Sequence, residues 1–444
     1  MQGEGTPPRA SLHRSPRKSA ADTVARWGRV TAVTGTILRA RVPDVRMGEH
    51  CMIRRDSAPD LTAEVVGFDE QGVLLMPLGG LESVSSSSQV VPTGRTSMVP
   101  CGPSVKGRVL DALGRPIDGL GPVRSEEEAP MMATPPNPLK RRPITEPLST
   151  GIRAIDSLLT IGMGQRVGLF AAAGVGKSTL LGMIARQVKA DSVVLALVGE
   201  RGREVMPFIK QDLGEEGMAK SVVIVSTSDQ PSLLRLSAAY TATAVAEGFR
   251  SRGERVVLMM DSVTRFARAL REVGLAVGEP PGRQGYPPSV FATLPWLFER
   301  AGNDENGSIT AFYTVLVAGD DIEEPVADES ISLLDGHIIL SRKLAAMGHY
   351  PAIDVPHSKS RVMENVISAE HRRAARRANE VLGTYEANYD KIVVGVYEEG
   401  SDPRVDDAIR RFPTVQQFLR QDMRDPKPIE QSIEQLQDVF SDEL

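Results

Sequence analysis

Residues 170–179 read Phe-Ala-Ala-Ala-Gly-Val-Gly-Lys-Ser-Thr. The apolar run Arg166-Val167-Gly168-Leu169-Phe170 leads into them, and Leu180-Leu181-Gly182-Met183-Ile184-Ala185 follows with helical spacing. A strand, a glycine-containing loop and a helix in that order form a phosphate cradle. Gly174 and Gly176 allow the backbone to turn inward with no Cβ in the way. The N–H groups from Ala173 through Val175 to Thr179 then face phosphate oxygens, with the helix dipole behind them. Lys177 supplies the cation for the outer phosphates, and the Ser178 hydroxyl supplies a ligand for Mg²⁺. One position departs from the GxxxxGK[ST] pattern: its leading glycine is Ala171.

Phosphoryl chemistry also needs a carboxylate near the metal and a group that orients or deprotonates water. Val256-Val257-Leu258-Met259-Met260-Asp261 is an apolar strand ending in an acid, so Ser178 and Asp261 are candidate metal residues. Val198-Gly199-Glu200-Arg201-Gly202-Arg203-Glu204 follows another apolar strand. A carboxylate just past the C-terminal end of such a strand lies in the ligand crevice of an open α/β sheet. Glu200 is the candidate base, and Glu204 supports it and joins the candidate metal residues. A plain surface charge cluster is the alternative for this segment.

The elements that must hold these groups follow from the surrounding pattern. Five apolar runs, at 166–170, 192–198, 221–225, 256–260 and 309–317, alternate with helical spacing between about 150 and 355. Near-continuous apolar strands separated by helices predict a mostly parallel sheet covered on both faces. From Arg26 to about Val91, short β-branched runs alternate with turns at Gly35, Gly48, Gly67 and Gly72, which predicts a small β-barrel. Residues 125–147, with the acidic triplet Glu126 to Glu128 and then a proline-rich stretch from Pro135 to Pro147, read as a linker or extended loop. Beyond about 362 the chain turns helical and charged. Ser368 is placed to cap a helix that ends near Leu382, with Gly383 as its stop. Arg372, Arg373, Arg376 and Arg377 form a basic face on it, expected to be solvated. Residues 1–24 are rich in Pro, Ser and Arg and read as a flexible tail. Anionic lipid or an acidic partner is the alternative to plain solvation for that tail.

The 444 residues suggest about three domains. Charged residues at 25 % and apolar residues at 41 % place the chain among ordinary globular proteins. The net charge of -5 argues against a nucleic-acid binder held by electrostatics over its whole surface. Two cysteines, Cys51 and Cys101, cannot build a disulfide framework, which fits a reducing compartment. No apolar stretch is long enough for a transmembrane helix, and the first twenty residues lack the apolar core of a secretory signal.

Taken in order, these motifs resemble the catalytic subunits related to F-type ATP synthase. The specific pieces are Lys106 to Asp111, the phosphate loop, Gly199-Glu200-Arg201, Asp261 to Ala267 and Tyr350-Pro351-Ala352-Ile353-Asp354. Residues 285–292, 307–316 and 334–338 resemble the protein-export branch, the type III secretion ATPases, with the flagellar export ATPases as near neighbours. The stretches 315–321 and 328–329 resemble the virulence-associated form more than the flagellar one.

Behind the tail over 1–24, the resemblance implies an N-terminal β-barrel over 25–95, a RecA-like α/β P-loop domain over 96–357 and a C-terminal helical domain over 358–444. It implies ATP and Mg²⁺ as substrate and cofactor, and a homo-hexamer. Glu200 matches the catalytic glutamate and Arg201 its neighbouring arginine. Lys177 and Ser178 match the phosphate-loop positions, and Asp261 the metal aspartate. Arg361, in Ser358-Lys359-Ser360-Arg361, matches an arginine finger that reaches the next subunit's site, with an intrachain ion pair as the alternative. Tyr350 matches the aromatic that stacks on adenine, with core packing as the alternative. Residues 278–287 match a loop facing the ring's channel, although Gly282-Arg283-Gln284 departs from the usual form. Residues 396–400 and 406–409 resemble the region that faces a central stalk. A stator, secretion chaperones, effector proteins and a cytoplasmic location at the inner membrane are implied as well.

Two other classes compete. A non-catalytic ring subunit would keep the phosphate loop but lack the glutamate at 200. An RNA-dependent helicase would need stacking aromatics, and the N-terminal segment offers Trp27 and Phe68 in an acidic chain. No nucleic-acid partner is therefore expected.

Overall fold

The computed structural model describes residues 27–317 and 323–441. The expectations for the tail and for residues 318–321 lie outside them. Six strands close an N-terminal barrel: β1 (Gly28–Thr34), β2 (Ile37–Arg41), β3 (His50–Ile53), β4 (Leu61–Asp69), β5 (Gly72–Pro77) and β6 (Gln89–Pro92). Alternation in β4, with Leu61, Ala63 and Val65 inside and their neighbours half-buried, gives the barrel its own core. Closure in the order β1-β2-β5-β4-β3-β6 leaves no free edge.

The acidic and proline-rich stretch is less of a linker than its composition suggests. Within it β9 (Glu127–Pro130) pairs antiparallel with β7 (Met98–Cys101). Met131 is buried behind it, and the Arg252 guanidinium bonds the Glu127 carboxylate at 2.5 Å. Partners more than a hundred residues away fix this segment, and local composition does not record them.

A nine-stranded sheet forms the middle of the molecule. Its strands are β8 (Val109–Asp111), β10 (Arg166–Ala171), β11 (Ser192–Glu200), β12 (Ser221–Thr227), β13 (Arg255–Asp261), β14 (Gly302–Asn303), β15 (Ser308–Leu316), β16 (Gly336–Leu340) and β17 (Ile353–Ser360). Their order is β17-β16-β10-β15-β13-β11-β12-β8, with β14 paired to β15. The pairings are parallel except β16–β17 and β14–β15. All nine residues of β11 are buried, as a sheet covered on both faces requires. Alternate residues feed opposite cores: Val194, Ala196 and Val198 join one cluster, and Val193, Leu195 and Leu197 the other.

Three helices close the chain: Ala369–Val393, Pro403–Leu419 and Ile429–Val439. Ser368 caps the first by accepting a hydrogen bond from the His371 N–H at 3.2 Å, as expected. Gly383 does not end it. The helix continues for ten further residues because Tyr385 stacks on Phe412 of the next helix, with ring centroids 3.7 Å apart. It stops at Val394, followed by Gly395 at φ +74°. Ala374, Ala378, Val415, Phe418 and Leu436 pack into the same core as Leu180 and Ile184 of helix Lys177–Gln187. The helical end is thus joined by apolar packing to the helix that follows the phosphate loop. No helix among the described residues is long and apolar enough to cross a membrane.

Candidate active site

The parallel register brings three strand ends to one edge of the sheet. Leu197 pairs with Asp261 and Ala171 with Leu316, so β10, β11 and β13 deliver their C-terminal residues together. Ala171 is the last residue of β10 and fully buried. It is not among the residues of positive φ, which explains why alanine serves where the pattern has glycine. The turn itself falls at Gly174 (φ +82°) and Gly176 (φ +86°). Open space lies where a Gly174 Cβ would stand. Helix Lys177–Gln187 begins immediately after Gly176, with Ser178 exposed.

The Lys177 ammonium contacts Asp261 Oδ1 and lies 3.8 Å from Glu200 Oε1. Thr314 donates to Asp261 Oδ1 at 2.8 Å and fixes that carboxylate from β15. Glu200 is 8 % exposed, and its Oε1 lacks a hydrogen-bond donor. Burial raises its pKa, and the nearby Asp261 charge raises it further. Lys177 and Arg265 pull the other way. Ser178, Glu200, Glu204, Asp212 and Asp261 share the lining of a cavity of about 310 Å³.

Arg201 does not join this cluster. It is exposed and bonds Glu204 at 3.2 Å. Arg265 takes the position beside Glu200 instead: its guanidinium donates to the Gly199 carbonyl and, at 3.3 Å, to Glu200 Oε2. Arg265 lies within the motif 261–267, where residue type alone assigns it no role. The signal was its spacing: four residues past Asp261 is the first turn of helix Val263–Ala276, facing the strand ends.

Tyr350 is half exposed, and its ring lies beside the phosphate loop: a Cβ on Gly176 would stand 3.5 Å from Tyr350 Cε1. This position is against core packing. Arg361 is exposed and donates to the Ile331 carbonyl at 3.0 Å rather than to a carboxylate. Its N–H bonds Asp335, level with Arg166 at the start of β10. Five residues of strand, about 16 Å, separate that level from Ala171 and the phosphate loop.

Family models match three consecutive parts of the chain. The ATP synthase alpha/beta family β-barrel domain matches residues 30–94, its nucleotide-binding domain residues 151–360, and the T3SS EscN ATPase C-terminal domain residues 367–438. A type 3 secretion system ATPase of Sinorhizobium fredii is 49 % identical, covering 97 % of this chain and 96 % of its own. The chain belongs to the ATP synthase alpha/beta family. A flagellum-specific ATP synthase of Bacillus subtilis is 50 % identical, covering 95 % of this chain and 97 % of its own. Among solved structures, the assembled ATPase EscN of enteropathogenic E. coli matches with a TM-score of 0.88 at 46 % identity, over 93 % of this chain and 99 % of that one. EscN in complex with its central stalk EscO matches at 0.86 and 45 %, with the same coverage.

This member of the ATP synthase alpha/beta family is an ATPase with the N-terminal barrel, mostly parallel sheet and helical end its sequence predicts. Its residues fit a nucleotide with Mg²⁺. The loop glycines leave room for phosphate, and Ser178 and Asp261 supply hard oxygen donors. Glu200 Oε1, in ion-pair range of Lys177 and Arg265 but without a hydrogen bond, can accept one from a donor such as water.

Proposed function

We propose that this chain hydrolyses ATP with Mg²⁺ as one subunit of a ring of six, and that the ring energises type III protein secretion. The convergence of Lys177, Asp261 and the buried, under-bonded Glu200 on one edge of the sheet carries this reading. The 174–179 backbone binds the phosphates at the helix N-terminus. Lys177 neutralises the transferring group, and Ser178 and Asp261 hold Mg²⁺, with Glu204 at the rim of the same cavity. The metal, when bound, supplies charge stabilisation at the phosphates. Glu200 accepts the proton of the attacking water. Arg201, exposed and paired with Glu204, acts through that carboxylate, and Tyr350 stacks on the base. Arg361 is too far along the sheet to serve its own site, which supports a finger acting on a neighbouring subunit.

The division into a barrel to about residue 95, an α/β engine to about 357 and a helical end from 358 belongs to the same reading. So do a central stalk contacting the helical end, a stator, chaperones and effectors as partners, and a cytoplasmic position at the inner membrane. The stalk is supported by the likeness to EscN, which was solved with its stalk EscO. The likeness to the Bacillus subtilis relative favours flagellar export as a second reading. Restoring export in cells that lack one or the other ATPase separates the two.

The chemical proposal is tested by ATP hydrolysis of purified wild type, Glu200→Gln and Lys177→Ala. Glu200→Gln should lose roughly 10²–10⁴-fold in kcat. Wild-type turnover in Glu200→Gln would reject the base, and wild-type turnover in Lys177→Ala would reject the phosphate loop as the reaction site.

A further inference from the structure

Gln421 lies in the turn after helix Pro403–Leu419, outside every motif discussed above, and it is 6 % exposed. Its bonds tie three separate parts of the chain together. The side-chain Oε1 accepts from the Arg153 N–H at 2.8 Å. Nε2 donates to the Gly151 carbonyl at 2.8 Å and to the Asp425 carbonyl at 2.8 Å. Both amide donors are therefore used, and a buried amide with this many fixed partners has a single orientation. The backbone N–H of the same residue donates to the Tyr350 carbonyl at 2.9 Å.

The other side of Tyr350 is the phosphate loop, since its ring lies against the position of Gly176. Tyr350 is thus held between the loop and Gln421, while its ring stays half exposed. The amide of Gln421 locks its own turn to the Gly151–Arg153 segment, and that lock sets where its N–H meets the Tyr350 carbonyl. We propose that Gln421 is a positioning residue for the nucleotide base: it ties the C-terminal helical region to Tyr350 and so sets the affinity of the site for the base half of ATP. This rests on Tyr350 being the residue that faces the base. A substitution at 421 then weakens recognition of the nucleoside and leaves the phosphate-binding groups untouched. General loosening of the fold would weaken both halves alike.

The experiment compares full-length wild type, Gln421→Ala and Gln421→Glu in ATP hydrolysis, with inorganic tripolyphosphate as a competitive inhibitor that has phosphates but no base. Gln421→Glu is isosteric and turns an oxygen toward the Gly151 and Asp425 carbonyls, so it breaks the lock even where the alanine variant folds poorly. Expected is a rise in KM for ATP of about tenfold, within the range of a lost base–aromatic stack, with kcat held within about twofold. The inhibition constant of tripolyphosphate should not change. In a Tyr350→Ala background, Gln421→Ala should add nothing further to KM. An unchanged KM, a parallel weakening of tripolyphosphate, or additive effects of the two substitutions would each overturn the proposal. A Tyr350→Ala variant with wild-type KM would instead reject the role of Tyr350 on which it rests.

Discussion

Arg265 stands against both oxygens of Glu200, its Nε 3.3 Å from Oε1 and its Nη2 3.3 Å from Oε2, while the same guanidinium holds the Gly199 carbonyl. The pair bears on when Glu200 is ionised. Burial places the Glu200 pKa above the ordinary glutamate value, and Arg265 is one of two cations that limit the rise. In the proposed role of base, Glu200 would work only when deprotonated, so kcat/KM should fall as pH drops through this raised pKa. Arg265→Gln removes a cation that lowers the pKa, and the acid limb of the profile should move to higher pH. Each unit of movement costs about tenfold in activity at a fixed acid pH. A pH–rate profile of the two proteins checks this, and an acid limb that stays in place or moves down contradicts it.

Glu200→Gln also has a predicted effect on stability. The substitution removes a buried carboxylate that faces Asp261, and it leaves the contact of Lys177 with Asp261 in place. Calorimetry at pH 7 should give a melting temperature no lower than that of wild type, alongside the lost turnover. A drop of several degrees would mean that the Lys177–Glu200 attraction outweighs the cost of burying the acid.

Some of this site could be read directly from residue types. Gly174, Gly176, Lys177 and Ser178 follow an apolar strand, and Asp261 and Glu200 end two others, so sheet geometry alone collects them. Residue type alone does not mark Arg265; only its spacing, four residues past Asp261 in the first turn of the next helix, points it at the strand ends. In the sequence, Gly383 looks like a stop, because a glycine inside a helix and one at its end look alike. Tyr385 on Phe412, a contact between two helices, made the difference. The strand Glu127–Pro130 and the bonds of Gln421 were hidden for a similar reason. The partners of Gln421 at Gly151 and Arg153 lie about 270 residues away in the chain. What depends on residue type and short spacing was legible, and what depends on distant packing was not.

The place of Arg361 at the opposite end of the sheet from its own phosphate loop leads to a mixing experiment. Rings made only of Glu200→Gln, or only of Arg361→Ala, should be nearly inactive, the latter by roughly 10³-fold or more. In rings mixed from both, about one interface in four pairs an intact Glu200 with an intact Arg361 from the next chain. Mixing two inactive proteins should therefore restore measurable ATP hydrolysis. If the arginine served its own chain's site, every site would keep one defect and mixing would restore nothing.

Asp156 gives a stability prediction with a definite sign. Its Oδ1 accepts from the Thr150 N–H at 2.8 Å and the Thr150 hydroxyl at 2.6 Å, and its Oδ2 accepts from the Gly151 N–H at 3.0 Å. Burial still dominates over these bonds and pushes its pKa up to about 7. The folded pKa lies above the unfolded value of about 3.9, so the folded state holds a proton that the unfolded state has released. The stabilisation is complete below about pH 4 and is lost as pH rises through 7. Between pH 5 and 8 this amounts to about 3 kcal/mol. Asp156→Asn cannot titrate, and its amide N–H₂ would face a backbone N–H, so it starts less stable at pH 5. The gap between wild type and variant, measured from denaturant midpoints, should narrow by about that amount at pH 8. A gap that stays constant between pH 5 and 8 would mean that the hydrogen bonds from Ser149, Thr150 and Gly151 hold Asp156 ionised.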